Sequence, residues 1–450
     1  LEKKLSGTIT KQGDSGYSQL RTGWNGFFDK YPEAIVQCIN SDDVARCVRF
    51  VKKHDLEFSV RSGGHDYAGN SVCDGGMVID LSLMSSIEID PAEKTAIAGP
   101  GVRWGAFDEA AQEHGLATTG ATVSTVGVAG FTLGGGTGYL ARKHGPALDN
   151  LLSARLITAS GENILVSEHH YQDLFWAIRG GGGNFGIVTS FEFKLHDVGP
   201  EVTAGQVVFP VDQAGEVLRF YRDFMQDAPE EINCYAFFLN TPPIDAFPES
   251  YHSKPVLSLV MAHVGDAETA RKELAPLLNA GEPILNAVQP MPYTAAQTMF
   301  DEGMASGNRW YSKAHYMDEM SDAAIDTVLE HTRKLPGPLS VAYFEPLGGA
   351  INQVDPELTA FPHRNSACSL HIFAGWTDAE ADEKPMTWAN EFHIAMSPHA
   401  NGGVYVNLLG QDEENRIPDA YGSNFERLKQ IKKEWDPGNL FRSNQNIEPA

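Results

Sequence analysis

The sequence has few cysteines and no long apolar run, and both absences limit what the protein can be. Its five cysteines are scattered and form no C-x-x-C pair, which predicts buried thiols and argues against a disulfide framework or a metal site. No apolar run approaches the length of a membrane span, and no signal-peptide pattern opens the chain. We therefore expect no membrane partner. The cellular location stays open, with a cytoplasmic protein favoured over a secreted one.

Positive charge is also scarce. The chain has 34 lysines and arginines against 59 aspartates and glutamates, so its formal net charge is −25. This charge would repel nucleic acids and anionic membranes, and we expect neither as a partner. The surplus carboxylates predict a solvated acidic surface. An alternative interpretation is adaptation to high salt, where surplus carboxylates keep a protein in solution.

Motifs of several enzyme classes are missing as well. HExxH, GxSxG and GxxxxGK[ST] do not occur, so zinc proteases, α/β-hydrolases and P-loop enzymes lack their usual signals. Residues 180–186 contain a literal GxGxxG, but a predicted strand at 187–195 follows where a Rossmann fold needs a helix. The Rossmann interpretation is therefore rejected. A length of 450 residues predicts two domains.

Glycine is abundant, and its first cluster follows a predicted βαβ unit. Strands at 34–39 and 58–61 flank a helix that we expect Ser41 or Asp42 to cap, and this unit implies parallel pairing and a right-handed crossover. The second strand leads into Ser62-Gly63-Gly64-His65. Backbone N–H groups in such a turn can cradle a pyrophosphate, with the histidine above it. The alternative is an ordinary glycine turn with a surface histidine.

A second glycine cluster spans residues 119–138, where glycines alternate with small β-branched residues. This pattern suggests backbone that lies flat against a large planar ligand. A flexible linker is the alternative, but apolar residues such as Val126, Val128, Phe131 and Leu133 argue against it.

The pattern changes after Pro200. Strands alternate with amphipathic helices, for example those at 266–278 and 321–334. The arrangement predicts a second α+β domain with a mostly antiparallel sheet, helices on one face and the first domain on the other. The predicted strands are 205–209, 233–239, 256–264, 309–317, 339–345 and 369–376.

Several motifs together resemble one known family. They are Val60–His65, Thr125–Gly130, Asp173–Gly180, Gly183–Thr189 and Asp436–Arg442. The chain resembles the vanillyl-alcohol-oxidase superfamily of flavoproteins, in its berberine-bridge-enzyme-like branch. The resemblance implies a two-domain α+β flavoprotein. Its FAD-binding domain would come from both chain ends, residues 1–198 and 401–450, with a substrate domain inserted at 199–400.

The resemblance also implies how FAD is held. His65 would bond covalently to the 8α-methyl group of the flavin. Relatives with a second, cysteinyl link carry a cysteine at the position of Val123, so the sequence predicts a histidyl link alone. The remaining residues expected to bind the cofactor are Arg61, Ser62, Gly63, Gly64, Thr125, Val126, Gly127, Gly130, Gly134, Asn150, Gly186, Val188, Asn407 and Asn444.

The catalytic base is harder to assign. Relatives often use the last tyrosine of Tyr-x-Asn-Tyr, but this chain has Leu408 there, after Tyr405 and Asn407. Period-two alternation puts polar residues of the strand 309–317 on one face, which we predict to face the flavin; solvent exposure of that face is the alternative. His371 is interpreted as a satisfied core histidine. The candidate catalytic residues are Tyr311, Lys313, His315, Glu345 and Tyr405.

The expected function is oxidation of a C–OH or C–N bond in a small molecule, with O2 as the acceptor and H2O2 as product. Val126 matches relatives in which a valine leaves oxygen access to the flavin, which favours an oxidase. The alternatives are a dehydrogenase with another acceptor, a tailoring enzyme of secondary metabolism, and a flavin-binding protein without turnover. The sequence does not name the substrate or the oligomeric state.

Overall fold

The computed structural model describes residues 1–450 and contains 19 strands. In chain order they are β1 Thr8–Lys11, β2 Pro32–Gln37, β3 Phe58–Arg61, β4 Gly75–Asp80, β5 Ile87–Asp90, β6 Thr95–Ala98, β7 Leu116–Ala117, β8 Leu151–Ile157, β9 Asn163–Ser167, β10 Ile187–Lys194, β11 His196–Asp197, β12 Glu201–Pro210, β13 Ile232–Asn240, β14 Pro255–His263, β15 Leu285–Asn286, β16 Gln289–Pro292, β17 Arg309–Met317, β18 Val341–Pro346 and β19 Cys368–Trp376.

Fourteen α-helices accompany these strands. None of them combines the length and hydropathy that a bilayer crossing requires. They are α1 Tyr17–Arg21, α2 Ser41–His54, α3 Trp104–Gln112, α4 Val128–Gly134, α5 Ala141–His144, α6 Gln172–Ile178, α7 Ala214–Gln226, α8 Ala267–Leu278, α9 Tyr293–Ala296, α10 Asp322–Thr332, α11 Ala350–Gln353, α12 Glu383–Met396, α13 Ile417–Tyr421 and α14 Phe425–Trp435.

The predicted βαβ unit forms part of a four-stranded sheet in the order β1-β2-β4-β3. The cap of α2 is Asn40 and not the predicted Ser41 or Asp42, because the Asn40 side chain accepts the Asp43 N–H; the helix buries the predicted apolar face. The flanking strands β2 and β3 are parallel, as expected, but they do not pair with each other. The strand β4 lies between them and is parallel to both. This crossover brings the end of β3, and the glycine turn after it, to the carboxyl edge of the sheet.

A five-stranded antiparallel sheet in the order β5-β6-β10-β8-β9 completes the first domain. The strand β10 follows the GxGxxG segment directly, which confirms that this segment does not belong to a Rossmann fold. The largest apolar cluster contains residues from these strands and also from α13 and α14 near the carboxyl end. Both ends of the chain therefore contribute to one apolar cluster.

Residues 119–138 are not extended throughout. The helix α4 forms within them because Val128, Ala129 and Leu133 share a buried side, and this burial outweighs the poor helix propensity of the flanking glycines. The alternation of glycines with β-branched residues does not predict this helix.

The central part of the chain forms a large antiparallel sheet in the order β15-β12-β14-β13-β18-β19-β17, with β16 also pairing with β12. Alternate side chains of its strands pack with the helices α7, α8, α10 and α12 in a second apolar cluster. We call this side the helix face. Side chains on the opposite side, such as Trp310, Ala314 and Tyr316, join the apolar cluster of the first domain. We call it the FAD-domain face.

Candidate active site

A buried ion pair holds the glycine turn after β3 in place. The Arg61 guanidinium forms a buried ion pair with Asp80 on the neighbouring strand β4, with 2.5 Å between Nη2 and Oδ2. Gly64 has φ of +69°, a conformation that a side chain would strain. The charge of Arg61, a residue predicted to contact the cofactor, fixes the end of β3.

The turn meets the second glycine cluster backbone to backbone. A Cβ on Gly63 would lie 2.5 Å from the Gly127 Cα, and a Cβ on Gly127 would lie 2.7 Å from the Gly63 Cα. Only glycine at both positions allows this approach. The contact brings together two glycine motifs that are more than sixty residues apart in the chain.

His65 lies at this junction. Its ring stacks on Trp24, with 3.8 Å between ring centroids and an interplanar angle of 19°. The His65 Nε2 is buried and has no hydrogen-bond partner. Burial, together with the nearby charge of Arg103, lowers the pKa of His65 to about 3, so its imidazole is neutral at physiological pH. A neutral, unpartnered ring nitrogen can act as a nucleophile.

Other buried polar atoms in the glycine clusters and near the carboxyl end are also unpartnered. The buried side-chain oxygens of Thr125, Asn444 and Asn446 have no hydrogen-bond partner. Buried polar groups are normally paired, because an unpaired one costs about 1–3 kcal/mol. Open space also lies where a Cβ on Gly130 would project. Unsatisfied donors and acceptors beside a glycine-lined cradle fit a large polar cofactor such as FAD.

The other predicted cofactor residues have varied surroundings. Asn150 is occupied within the protein: its Nδ2 donates to the carbonyl oxygens of His144 and Pro146, and its Oδ1 lies 2.7 Å from the His196 Nε2. Val188 is buried in β10. A Cβ on Gly134 would collide with the Asn407 side chain at 2.0 Å, and Gly186 has φ of +155° beside the Ile157 carbonyl. Ser62 and Val126 lie beside the Gly63–Gly127 contact.

Tyr405 is held in place by its phenol oxygen. This oxygen accepts the Gly136 N–H at 2.8 Å and the Asn407 Nδ2–H at 2.9 Å, and Asn407 also donates to the Phe131 carbonyl. Burial raises the pKa of Tyr405 to about 12. The phenol therefore stays protonated, and both hydrogen bonds that it accepts are internal. These contacts fasten the carboxyl-terminal segment to the second glycine cluster.

The face predicted for β17 is wrong. Tyr311, Lys313 and His315 lie on the helix face. The Lys313 Nζ is 2.8 Å from Asp412 and 3.3 Å from Glu413, and the His315 ring stacks on His393 of α12 with centroids 4.2 Å apart. These polar side chains are buried by a helix and by the segment 411–416, neither of which the period-two pattern of a single strand can reveal.

The FAD-domain face carries a different pair, Glu345 on β18 and His371 on β19. Their side chains are almost completely buried, and the His371 Nε2 lies 3.2 Å from the Glu345 Oε2. Tyr235 donates its phenol proton to Glu345 at 3.4 Å, and Tyr343 stacks on the imidazole with centroids 4.5 Å apart. Neither the Nδ1 nor the Nε2 of His371 makes a hydrogen bond. His371 is therefore buried, as expected, but it is not satisfied.

The sequence alone does not mark His371 or Trp24 as candidates for the site. The alternation in β19 assigns His371 to one of two faces, but the choice needs the register Tyr343↔His371 with β18. Trp24 lies in the amino-terminal segment, which carries no recognisable pattern. No local signal could have placed its ring on His65.

The fold and the two glycine loops define a FAD-dependent oxidoreductase, and comparison with known proteins agrees. A model of the FAD binding domain family matches residues 32–167, and a model of the family "Berberine and berberine like" matches residues 404–448. The FAD-linked oxidoreductase YgaK of Bacillus subtilis is 30% identical over 457 residues, which cover 100% of this chain and 98% of that protein.

Two further comparisons involve enzymes of named activity. The (R)-6-hydroxynicotine oxidase of Paenarthrobacter nicotinovorans is 30% identical over 466 residues, covering 99% of this chain and 97% of that protein. The crystal structure of 6-hydroxy-D-nicotine oxidase from Arthrobacter nicotinovorans superposes with a TM-score of 0.89 at 28% identity, over 99% of this chain and 98% of that one. The chain belongs to the berberine-bridge-enzyme-like family of FAD-linked oxidoreductases.

Proposed function

We propose that this enzyme carries FAD bonded covalently to His65 Nε2 and oxidises a small molecule at a C–OH or C–N bond with O2 as the final acceptor. The observation that carries the covalent link is the neutral, buried and unpartnered Nε2 at the glycine junction. An imidazolium would have no lone pair for the attack, so the low pKa keeps the ring reactive.

A histidyl link alone is proposed because no thiol reaches the junction. Val123 occupies the position at which relatives with two links carry cysteine, and its side chain is buried. The five cysteines are all buried thiols in other places. Three belong to the first sheet and the segments beside it, and Cys234 and Cys368 pack on the helix face of the large sheet.

FAD, when bound, supplies a two-electron acceptor that takes a hydride from the substrate carbon and passes both electrons to O2, which leaves as H2O2. The protein must accept the remaining proton, which leaves the substrate O–H or N–H. His371 is the proposed acceptor, because its Nδ1 is unpartnered and it lies on the FAD-domain face. Glu345, 3.2 Å from the His371 Nε2, orients the ring and stabilises the imidazolium that forms.

Residues 1–198 and 401–450 are proposed to hold FAD, and residues 199–400 to bind the substrate. The contacts of Tyr405 and Asn407 with the second glycine cluster support the first assignment. The position of His371 and Glu345 in the central segment supports the second.

The covalent link is tested by acid precipitation of the holoenzyme. We expect the yellow colour to stay with the precipitated wild-type protein and to be released from His65→Ala. Acid-stable flavin in the variant would contradict the assignment. The acceptor is tested separately by photoreducing the flavin without substrate and admitting air. Rapid reoxidation supports an oxidase, whereas slow reoxidation favours a dehydrogenase.

A further inference from the structure

One segment from the central part of the chain contacts both sides of the glycine junction. It comprises residues 297–308, between α9 and β17, and we call it the clasp. Hydrogen bonds join the clasp to Ser124 in the second glycine cluster and to Trp24, whose ring stacks on His65. The clasp therefore connects the loop that we propose to hold FAD with the ring beside the proposed nucleophile.

Asp301 makes the closest contact with the second glycine cluster. Its Oδ1 accepts the Ser124 N–H at 2.8 Å, and its Oδ2 accepts the Ser124 Oγ–H at 2.5 Å. Hydrogen bonds that a carboxylate accepts are short and roughly twice as strong as those between neutral groups. Two such bonds to one residue fix both its position and its direction. Ser124 lies close in the chain to Gly127, which touches Gly63, so Asp301 holds the loop that forms the junction.

Gln297 gives the clasp another contact with the same loop. Its side chain is buried, and its Nε2 donates to the Ala121 carbonyl at 3.1 Å and to the Asp108 Oδ2 at 3.0 Å. The loop is therefore held at Ala121 and at Ser124, on both sides of Val123.

On the other side of the junction, the clasp holds Trp24 by its side chain and its backbone. The Trp24 Nε1 donates to the Met304 carbonyl at 2.8 Å, and the Gly307 N–H donates to the Trp24 carbonyl at 2.9 Å. A Cβ on Gly26 would lie 2.1 Å from the Gly307 carbonyl oxygen, so the two backbones are in direct contact. These contacts set the plane of the indole and, through the stack, limit the orientation of the His65 ring.

The formation of a covalent bond depends on this relative alignment. Reacting atoms must lie about 3–3.5 Å apart with the correct orientation, and a misplacement of about 1 Å can slow a reaction about 10²-fold. The contact between Gly63 and Gly127 joins carbon atoms and has no preferred angle. The hydrogen bonds of the clasp are directional, and they reach both sides of the junction.

We infer that Asp301 is a positioning residue for the covalent attachment of FAD, and that it acts through Ser124 while the rest of the clasp holds Trp24 on His65. This inference rests on the proposed function. Attachment joins the His65 Nε2 to the 8α carbon, with loss of one C–H hydrogen and the imidazole N–H hydrogen. The two electrons and two protons pass to O2, which leaves as H2O2. Asp301 takes no part in this transfer, because it sets only the geometry in which the bond forms.

The test is the rate at which the full chain, prepared as apoprotein, forms acid-stable flavin in air at saturating FAD. We expect Asp301→Ala to lower this limiting rate about 10- to 100-fold, because the loop loses both hydrogen bonds. Asp301→Asn keeps an acceptor for the N–H and an amide that can bond the hydroxyl, so its rate should lie within about threefold of the wild type. The matched control is Glu273→Ala on α8. Its partly exposed carboxylate lies 2.8 Å from the His263 Nε2 on the helix face, and its loss should leave the rate unchanged.

Ser124→Ala shows whether Asp301 acts through this residue. The variant loses the hydroxyl but keeps the N–H, so we expect incorporation to slow about 3- to 10-fold. Added to Asp301→Ala, it should change the rate little further, because both substitutions remove the same contact. A merely structural loss would lower the fraction of protein that incorporates FAD, measured beside circular dichroism, and not the limiting rate.

Two results would overturn the inference. One is a limiting rate in Asp301→Ala, or in Ser124→Ala, equal to that of Glu273→Ala. The other is a double variant in which the two single effects multiply. If Asp301→Ala does not fold, Ser124→Ala alone decides between the outcomes. Failure of the proposed function is distinguishable, because the wild-type protein itself would then form no acid-stable flavin.

Discussion

The two faces of the large sheet both bury histidine and carboxylate side chains, but they use them differently. On the helix face, His315 donates its Nε2–H to the His393 carbonyl while its Nδ1 is unpartnered, and Lys313 is enclosed by Asp412 and Glu413. On the FAD-domain face, neither ring nitrogen of His371 makes a hydrogen bond, and its Nε2 lies 3.2 Å from Glu345. The difference teaches that burial of a polar side chain does not by itself mark a reactive group. What distinguishes His371 is that neither of its ring nitrogens is hydrogen-bonded and that it lies on the FAD-domain face.

The sharpest test of this comparison substitutes one histidine on each face. We expect His371→Gln to slow anaerobic flavin reduction by about 10²- to 10⁴-fold, the usual contribution of a positioned base, while covalent flavin is retained. His315→Gln, its match on the helix face, should change the rate by less than about threefold. The measurement is stopped-flow bleaching with a saturating substrate. Equal effects of the two variants on the rate would show that the two faces do not differ in their contribution to catalysis.

Lys313→Ala tests whether the polar residues of the helix face stabilise the fold. Lys313 is only 3% exposed in its side chain, and its removal leaves the buried Glu413 with one fewer cation. Breaking a buried ion pair costs about 3–5 kcal/mol, so chemical denaturation should show a loss near 3 kcal/mol. The rate of flavin reduction by the folded fraction should stay the same. A large loss of rate without a loss of stability would indicate that Lys313 takes part in catalysis.

Trp24→Ala tests the stack on His65. We expect covalent incorporation of FAD into apoprotein to slow by about two- to tenfold, since the lost ring contact is worth about 0.5–1.5 kcal/mol. Trp24→Phe should restore most of the rate, because it keeps a ring on the imidazole. Acid-stable flavin followed over time is the readout. An unchanged rate in the alanine variant would show that the stack does not position His65.

The smallest effect concerns pH. Because the folded-state pKa of His65 is lowered to about 3, its neutral form persists when the pH falls from 8 to 5. Covalent incorporation should therefore change by less than about twofold across this range. A histidine with the usual pKa of about 6.5 would lose about 30-fold at pH 5. A loss of that size, on protein shown by circular dichroism to stay folded, would contradict the electrostatic description of the junction.

Local patterns predicted most strands of this chain well. The alternation in β17 and the apolar face of α2 follow from backbone geometry, which repeats every two or 3.6 residues. The patterns failed where two segments compete for a position. The strand β4 separates β2 from β3, and α4 forms inside a glycine-rich stretch, because both outcomes depend on partners distant in the chain.

The candidate site likewise has a part that local sequence patterns predicted and a part that they did not. The motif around His65 and the missing cysteine at Val123 could be read from neighbouring residues, and with them the flavin class of the enzyme. The proposed proton acceptor could not be read in this way. Whether a side chain of a strand faces the helices or the FAD domain depends on which layer covers each face of the sheet.

By itself, the sequence determined the covalent anchor that we propose and the glycines that let two loops touch, since a missing Cβ is a property of single residues. Only the tertiary structure decided that Trp24 lies on His65, that Lys313 and His315 face the helices, and that Glu345 and His371 meet on the FAD-domain face. Those contacts join residues from different strands and segments. They exist only once the pairing register and the packing of both domains are established.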